Sequence, residues 1–220
     1  MADLAPADLG AFLRLGTVRQ YEPPEVLMLE GHLDTEVYLL VNGYVRVEAD
    51  TAGGQNVLLA LRTRGDLVGE LAALDAGPRS ASVRAATTVL AHSISRPEFL
   101  RYLRAHPDAS DAVQRSVTRK LRMATRHRVD TSGAPVLVRV CGILEGLLAT
   151  HGRPTAEGAR LDVPLSRHDL AALVGASLPS VQRAVSELRG RGILSTSYLR
   201  LVVHDIDALR AITRDAGGND

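Results

Sequence analysis

Within residues 69–81 the chain assembles the groups that a singly charged phosphate ester needs when it leaves water: a fixed cation, a hydroxyl and backbone N–H donors. Gly69 lets the main chain come close to a bound group, and Glu70 opens a short helical turn that carries Leu71. Gly77-Pro78 then turns the chain back to present Arg79, Ser80 and Ala81. Arg79 suits a charge-assisted pair with the phosphate, Ser80 a hydroxyl bond to it, and Glu70 an acceptor for a ribose 2′-hydroxyl. Leu59, Leu61 and Leu71 are the apolar candidates to wall the sugar and base. The competing reading keeps Arg79 for the protein itself, as a helix cap or as a partner of Glu70 beside an empty pocket.

A second constellation lies in residues 165–190, where two short helices are expected with Gly175 at the turn between them. Leu170, Leu173, Val181, Val185 and Leu188 form the buried faces, so the N-terminal side chains of the second helix are free to enter a major groove. Gln182 suits an adenine edge and Arg183 a guanine edge, whereas Leu178 can touch only a thymine methyl. Pro179 fits a first helical turn. Ser166, Arg167, Ser177 and Ser180 are placed for phosphates, which position a helix without reading sequence. Helical pairs that never touch DNA share this spacing, and the expected strands that follow favour the DNA-binding reading.

Other chemistry finds little support. The seven histidines are scattered, and Cys141 is the one cysteine, on an apolar helix. No nucleophile and base fall at a readable spacing, so no enzyme is expected. The residues show no zinc or iron–sulfur pattern, so neither a metal nor a cluster nor a haem is expected.

At 220 residues and 45% hydrophobic content the chain is long enough for two domains with buried cores. Residues 1–10 lack a basic region followed by an apolar run, and the most apolar later stretch is broken by Arg139 and Glu145. A soluble, cytoplasmic protein is expected, without a membrane segment. The net charge of +1 conceals a basic run between Arg101 and Arg128, equally readable as a solvated helix face or a nucleic-acid stripe. Lys120 is the one lysine in a Lys+Arg pool of 26 and points to no mechanism.

These groups need elements to hold them. From about residue 18 to 94, short β-rich segments alternate with turn residues, the pattern of a barrel or sandwich. Asn42-Gly43 between two alternating runs predicts a tight hairpin, residues 52–55 and 64–66 predict further turns, and strands are expected at 82–87 and 89–94. Arg96-Pro97-Glu98 starts a helix. A longer one runs from about Asp108, with Val113, Val117, Leu121 and Ala124 on one narrow stripe. That stripe suits its own barrel or a two-helix seam between subunits, and the seam is favoured. The helix should fail at 130–135, a hinge. Beyond it come a helix at 136–149, a loop at 152–158, the two short helices, strands at 193–194 and 198–203, and a closing helix at about 205–213. Three segments result: a β-barrel at 1–107, a dimerisation helix and hinge at 108–134, and a winged helix-turn-helix at 135–220.

Glu30-Gly31, Tyr38 to Gly43, Gly65-Asp66, Gly69-Glu70-Leu71 and Arg79-Ser80-Ala81 occur in an order that resembles the Crp/Fnr family, over almost the whole chain. The resemblance implies an α+β fold with an N-terminal cyclic-nucleotide-binding jelly roll, a long dimerisation helix and a C-terminal winged helix-turn-helix. It also implies a homodimeric transcription regulator with a cyclic nucleotide effector, cAMP first, that binds double-stranded DNA and meets RNA polymerase. In the family the purine is read by consecutive polar residues of the long helix, with help from the other subunit; those positions fall on Ala124 and Thr125. The first has no polar group, which leaves cGMP or another nucleotide open. The segment between Glu70 and Arg79 is one residue shorter than in the family's founding member. Where that member resembles Ser-Arg-Glu-Thr-Val-x-Arg, this chain has Ser177-Leu178-Pro179-Ser180-Val181-Gln182-Arg183, so a different operator is expected. Two other readings stand beside this one: a ligand-independent DNA binder with a relict pocket, and a nucleotide-responsive module that contacts a protein.

Overall fold

The computed structural model describes residues 10, 12–50, 53–54, 56–131, 133–161, 163, 165–197 and 200–215. Residues 1–9, Ser132 of the expected hinge, Ala52 and Gln55 of an expected turn, and Tyr198, where a strand was expected to start, lie outside that set. The chain divides into two compact units, Met1–Arg119 and Lys120–Asp220.

The first unit is built from strands β1 (Thr17–Tyr21), β2 (Val26–Met28), β3 (Val37–Asn42), β4 (Tyr44–Asp50), β5 (Asn56–Thr63), β6 (Leu67–Val68), β7 (Ser82–Ala85) and β8 (Val89–Ile94), with a short helix α1 (Glu70–Asp75) after β6. Helix α2 (Arg96–Ala105) follows β8, and α3 (Pro107–Thr131) begins directly after it. The strands form two four-stranded antiparallel sheets, β1-β8-β3-β6 and β2-β7-β4-β5. Strand β3 is buried on both faces because alternate side chains point to opposite sides. Val37 and Leu39 join Phe12, Ile94, Phe99 and Val113 in one cluster, and Tyr38 and Leu40 join Val45, Val83 and Val89 in another.

Asn42-Gly43 is not the hairpin turn that the local signal predicts. Strand β3 pairs with β6 and β8, whereas β4 pairs with β5 and β7, so the chain leaves one sheet and enters the other at this dipeptide. One side of the corner is held by β8 and the other by the β7–β8 connection: Asn42 is in register with Leu90, and the Tyr44 amide donates to Thr87 Oγ1 at 3.0 Å. Gly43 has φ of +83°, and a Cβ there would collide with the Thr88 carbonyl and lie 2.8 Å from Val89 Cα. The glycine serves a close backbone approach across sheets.

Helix α2 starts where the sequence places it, with Ser95 as N-cap and a proline in its first turn. In α3 the apolar stripe divides. Ala109 and Val113 are buried in the barrel cluster and Val117 packs against it, whereas Leu121 is 66% exposed.

The second unit contains α4 (Val136–His151), β9 (Gly152–Thr155), β10 (Gly158–Leu161), α5 (Arg167–Val174), α6 (Leu178–Gly190), β11 (Leu194–Ser197), β12 (Arg200–Val203) and α7 (Ile206–Asp215). Residues 152–158, expected as a loop, instead contribute to an antiparallel hairpin that joins a four-stranded sheet in the order β11-β12-β10-β9. Helix α4 is the scaffold here: Val140, Cys141 and Leu144 are fully buried, and α5, α6 and α7 pack on it. No helix among the described residues is long and apolar enough to cross a membrane.

Candidate nucleotide pocket and nucleic-acid interface

Arg79 is only 2% exposed, and its guanidinium is surrounded by acceptors. Nε donates to Asp34 Oδ1 at 3.1 Å and Nη2 to Asp34 Oδ2 at 2.8 Å, a two-pronged ion pair. Nη2 also donates to the Glu36 carbonyl at 2.8 Å, and Nη1 to the Gly69 carbonyl at 3.1 Å. Its carboxylate partner is therefore Asp34, whereas the sequence offers Glu70 as the intramolecular partner. The main chain of Arg79 is fixed as well: its amide donates to the His32 carbonyl and its carbonyl accepts from the Gly31 amide, both at 2.8 Å.

Gly69 caps α1 with φ of +83°. A Cβ there would strike Arg79 Nη1 and sit 2.7 Å from the Glu36 carbonyl oxygen. The space its missing side chain leaves is occupied by the arginine. Glu70 is buried, at 4% exposure, and its negative charge and that of Asp66 help hold the proton of Arg62, whose pKa burial lowers. Ser80 is exposed beside Arg79, and Ala81 is buried.

The apolar wall is only partly open. Leu61 is buried in the barrel at 3% exposure, but Leu59 and Leu71 are 50% and 43% exposed. Leu59 is turned outward because it is the extra residue of a β-bulge: Ala60 pairs with Val47 and Leu58 with Glu48, which leaves Leu59 without a cross-strand partner. The cassette thus brings Gly69, Arg79 and the 31–36 segment together. Ala124 and Thr125 belong to the second unit, exposed on α3, where Thr125 Oγ1 donates to the Leu121 carbonyl at 3.0 Å. Sequence reasoning missed Asp34 and Glu36, since no motif links them to Arg79.

In the second unit, Ser166 caps α5 through a capping box: its Oγ accepts from the Asp169 amide at 3.0 Å, and its own amide donates to Asp169 Oδ2 at 3.3 Å. The hydroxyl expected to meet a phosphate thus also organises the helix start. Arg167 is exposed next to it. At the other end, Gly175 adopts φ of +63°, and Arg139 of α4 donates through Nη1 to the carbonyls of Val174 and Gly175 at 3.0 and 3.2 Å. A cation at a helix C-terminus satisfies orphan carbonyls and complements the helix dipole.

Helix α6 begins at Leu178 with Ser177 as N-cap and a proline in its first turn. Three side chains one turn apart are linked along it: Ser177 Oγ donates to Ser180 Oγ at 2.9 Å, and Arg183 Nη2 donates to the same Ser180 oxygen at 3.2 Å. Pro179, Gln182, Arg183 and Ser186 line an open depression of about 460 Å³. Ser186 was not singled out in the sequence, although its spacing of four from Gln182 puts it on the same helix face. The adjoining sheet is tied together by His204, whose Nδ1 is 2.8 Å from the Glu157 carbonyl and whose Nε2 is 2.9 Å from Ser195 Oγ. A helical pair with an exposed polar N-terminal face beside a small sheet has the form of a winged DNA-binding module.

Residues 18–106 match the cyclic nucleotide-binding domain family, and residues 138–212 match the Crp-like helix-turn-helix domain family. A CRP-like cAMP-activated global transcriptional regulator of Mycobacterium tuberculosis is 27% identical over 180 residues, 82% of this chain and 80% of the relative. A cyclic AMP receptor protein of Thermus thermophilus is 30% identical over 191 residues, 87% of this chain and 85% of the relative. Among solved structures, FixK2 from Bradyrhizobium japonicum superposes with a TM-score of 0.77 at 22% identity, covering 90% of this chain and 97% of that one, which is a likeness of fold. With a roll that carries the Gly69–Arg79 cassette, a helix-turn-helix beside a wing, and both domain families matched in order, the chain belongs to the Crp/Fnr family of transcription regulators.

Proposed function

We propose that this regulator works as a homodimer that binds cAMP through Glu70, Arg79 and Ser80 and, in response, places two α6 helices in successive major grooves. The carrying observation is the position of Arg79, a buried cation held against Gly69 with the Ser80 hydroxyl exposed beside it. That is the donor set a cyclic phosphodiester requires. Leu59 and Leu71 offer exposed apolar surface for sugar and base. Thr125 supplies the polar group for a purine edge, and Ala124 supplies none, so discrimination between cAMP and cGMP is expected to be modest. Cognate half-sites should lie one DNA turn apart, about 34 Å. The protein acts in the cytoplasm and contacts RNA polymerase on the promoter. A ligand shifts such an equilibrium only by binding the DNA-competent state more tightly, with about 1.4 kcal/mol of preference per tenfold change.

The test is titration calorimetry with cAMP and cGMP on the wild type, Ser80→Ala and Arg79→Gln, together with DNA affinity with and without each nucleotide. The expected result is binding that both substitutions weaken and DNA affinity that rises with nucleotide. DNA binding indifferent to every cyclic nucleotide would establish the second reading, a ligand-independent DNA binder. The observation in favour of that reading is the Arg79 guanidinium, which already has four hydrogen bonds to its own chain.

A further inference from the structure

We infer that Asp34 is a built-in competitor of the nucleotide phosphate: its carboxylate holds Arg79 when the pocket is empty, and ligand binding exchanges that carboxylate for a phosphate. The inference deepens the proposed function and rests on the reading that residues 69–81 take a cyclic nucleotide.

The geometry of the pair is that of a phosphate stand-in. Two carboxylate oxygens meet two guanidinium nitrogens, at 3.1 and 2.8 Å, as two oxygens of a phosphate would. The other two bonds of the guanidinium, to the carbonyls of Gly69 and Glu36, come from neutral groups and need not be broken for a new anion to arrive. Asp34 is therefore the partner that a phosphate must displace.

The two partners differ in access to water. The Arg79 side chain is 1% exposed, whereas that of Asp34 is 42% exposed. A released Asp34 carboxylate can turn into solvent, where water takes the place of its partner, whereas the enclosed Arg79 guanidinium would stand as a buried charge without a counter-ion unless another anion took that place. Exchange at Arg79 is thus easier than withdrawal of Arg79. The guanidinium hydrogen bond holds the Asp34 carboxyl below its ordinary range, so the competitor is ionised at neutral pH.

The backbone keeps the competitor in place. Gly31 and His32 are joined to the Arg79 main chain by two hydrogen bonds of 2.8 Å, so the segment that carries Asp34 is fastened to the residue it blocks. The local concentration of carboxylate at Arg79 is set by the fold, and the nucleotide must outcompete it from solution.

The experiment measures cAMP and cGMP affinity of the full-length protein by calorimetry for the wild type, Asp34→Asn and Asp34→Ser, with thermal melts to confirm folding. Asn retains an acceptor and loses the charge, and the position is half in water, so both variants are expected to fold. The expected result is at least tenfold tighter binding in both, by the same factor for cAMP and cGMP, because the competition is for the phosphate that the two share. Unchanged or weaker binding, with wild-type binding intact, overturns the competition and leaves the proposed function standing. A gain for one nucleotide only would mean that Asp34 senses the base, and also overturns it. Absence of binding in wild type and variants alike removes the proposed function as well. A measurement without substitution uses carbodiimide labelling followed by peptide mass spectrometry: nucleotide should raise modification of Asp34 in the wild type, and no rise at saturating nucleotide overturns the exchange.

Discussion

The guanidinium of Arg79 lies in the space that a side chain at Gly69 would fill, and Nη1 donates to the Gly69 carbonyl across it at 3.1 Å. Two ends of the cassette are thereby locked by the absence of one methyl group. Gly69→Ala should strain a backbone at φ of +83° and displace the arginine at once. The expected loss of stability is about 1–3 kcal/mol from the backbone alone, measured by urea unfolding, and it should be accompanied by lost nucleotide binding.

Arg139 holds the turn of the helix-turn-helix through the Val174 and Gly175 carbonyls. Its removal in Arg139→Ala should cost about 1.5–3 kcal/mol, the range for hydrogen bonds from charged donors. Because the effect is on the placement of α6, DNA affinity should fall by a similar factor on every sequence. Fluorescence anisotropy on cognate and scrambled duplexes checks this.

Arg183 is aimed by Ser180, which accepts from its Nη2 at 3.2 Å. If it reads a guanine, Arg183→Ala should weaken cognate binding by about 1–3 kcal/mol and flatten discrimination at one base pair. Equal weakening on all sequences would assign it to a phosphate. Binding by either route should fall linearly with salt in a log–log plot, and indifference to salt would favour a protein partner for α6.

Leu121 is 66% exposed on α3, one turn beyond the last residue that packs on the barrel. If the exposed half of the stripe is a subunit seam, Leu121→Lys should convert dimers to monomers in analytical ultracentrifugation. The barrel cluster does not include Leu121, so a two-state melt of the first unit should survive the change. A dimer that persists would place the seam elsewhere.

Burial pushes the Cys141 thiol up to about 11 from its ordinary 9. At neutral pH it is a neutral thiol inside α4, and a thiol reagent should label it only as fast as the protein opens. The raised value also fixes a sign: below about pH 9 the contribution to stability is complete, and it is lost as pH climbs toward 11, because the unfolded chain ionises first. Urea midpoints at pH 8 and 10, compared between the wild type and Cys141→Ala, should show the larger drop in the wild type.

Much of this was legible along the chain because the signals are local. Arg96-Pro97-Glu98 starts α2 where expected, Gly175 ends α5 where expected, and the residues of the cassette and of α6 lie in runs that can be read in order. What escaped the sequence depends on distance or on missing contrast. Asp34 stands 45 residues before Arg79, and no spacing rule connects them. The hairpin at Asn42-Gly43 was misread because a turn preference describes two residues, whereas the choice of sheet is made by β7 and β8. Strand β9 reads as a loop since it is almost wholly exposed and contains Pro154, so no alternation marks it. The stripe on α3 looks uniform in sequence, but its first half is buried in the barrel and its second half is not.

The crossing at Gly43 sets the order in which the barrel can mature. Since β3 and β4 are neighbours in sequence but belong to different sheets, neither can use the other as a template. Strand β1 has no partner until β8 exists, and β2 has none until β7 does. A nascent chain therefore has only the β3–β6 and β4–β5 ladders until β7 emerges, and β1 waits for its partner until residue Ile94 has left the ribosome. The roll should close late and all at once, and truncations that stop before β7 should aggregate rather than fold in part.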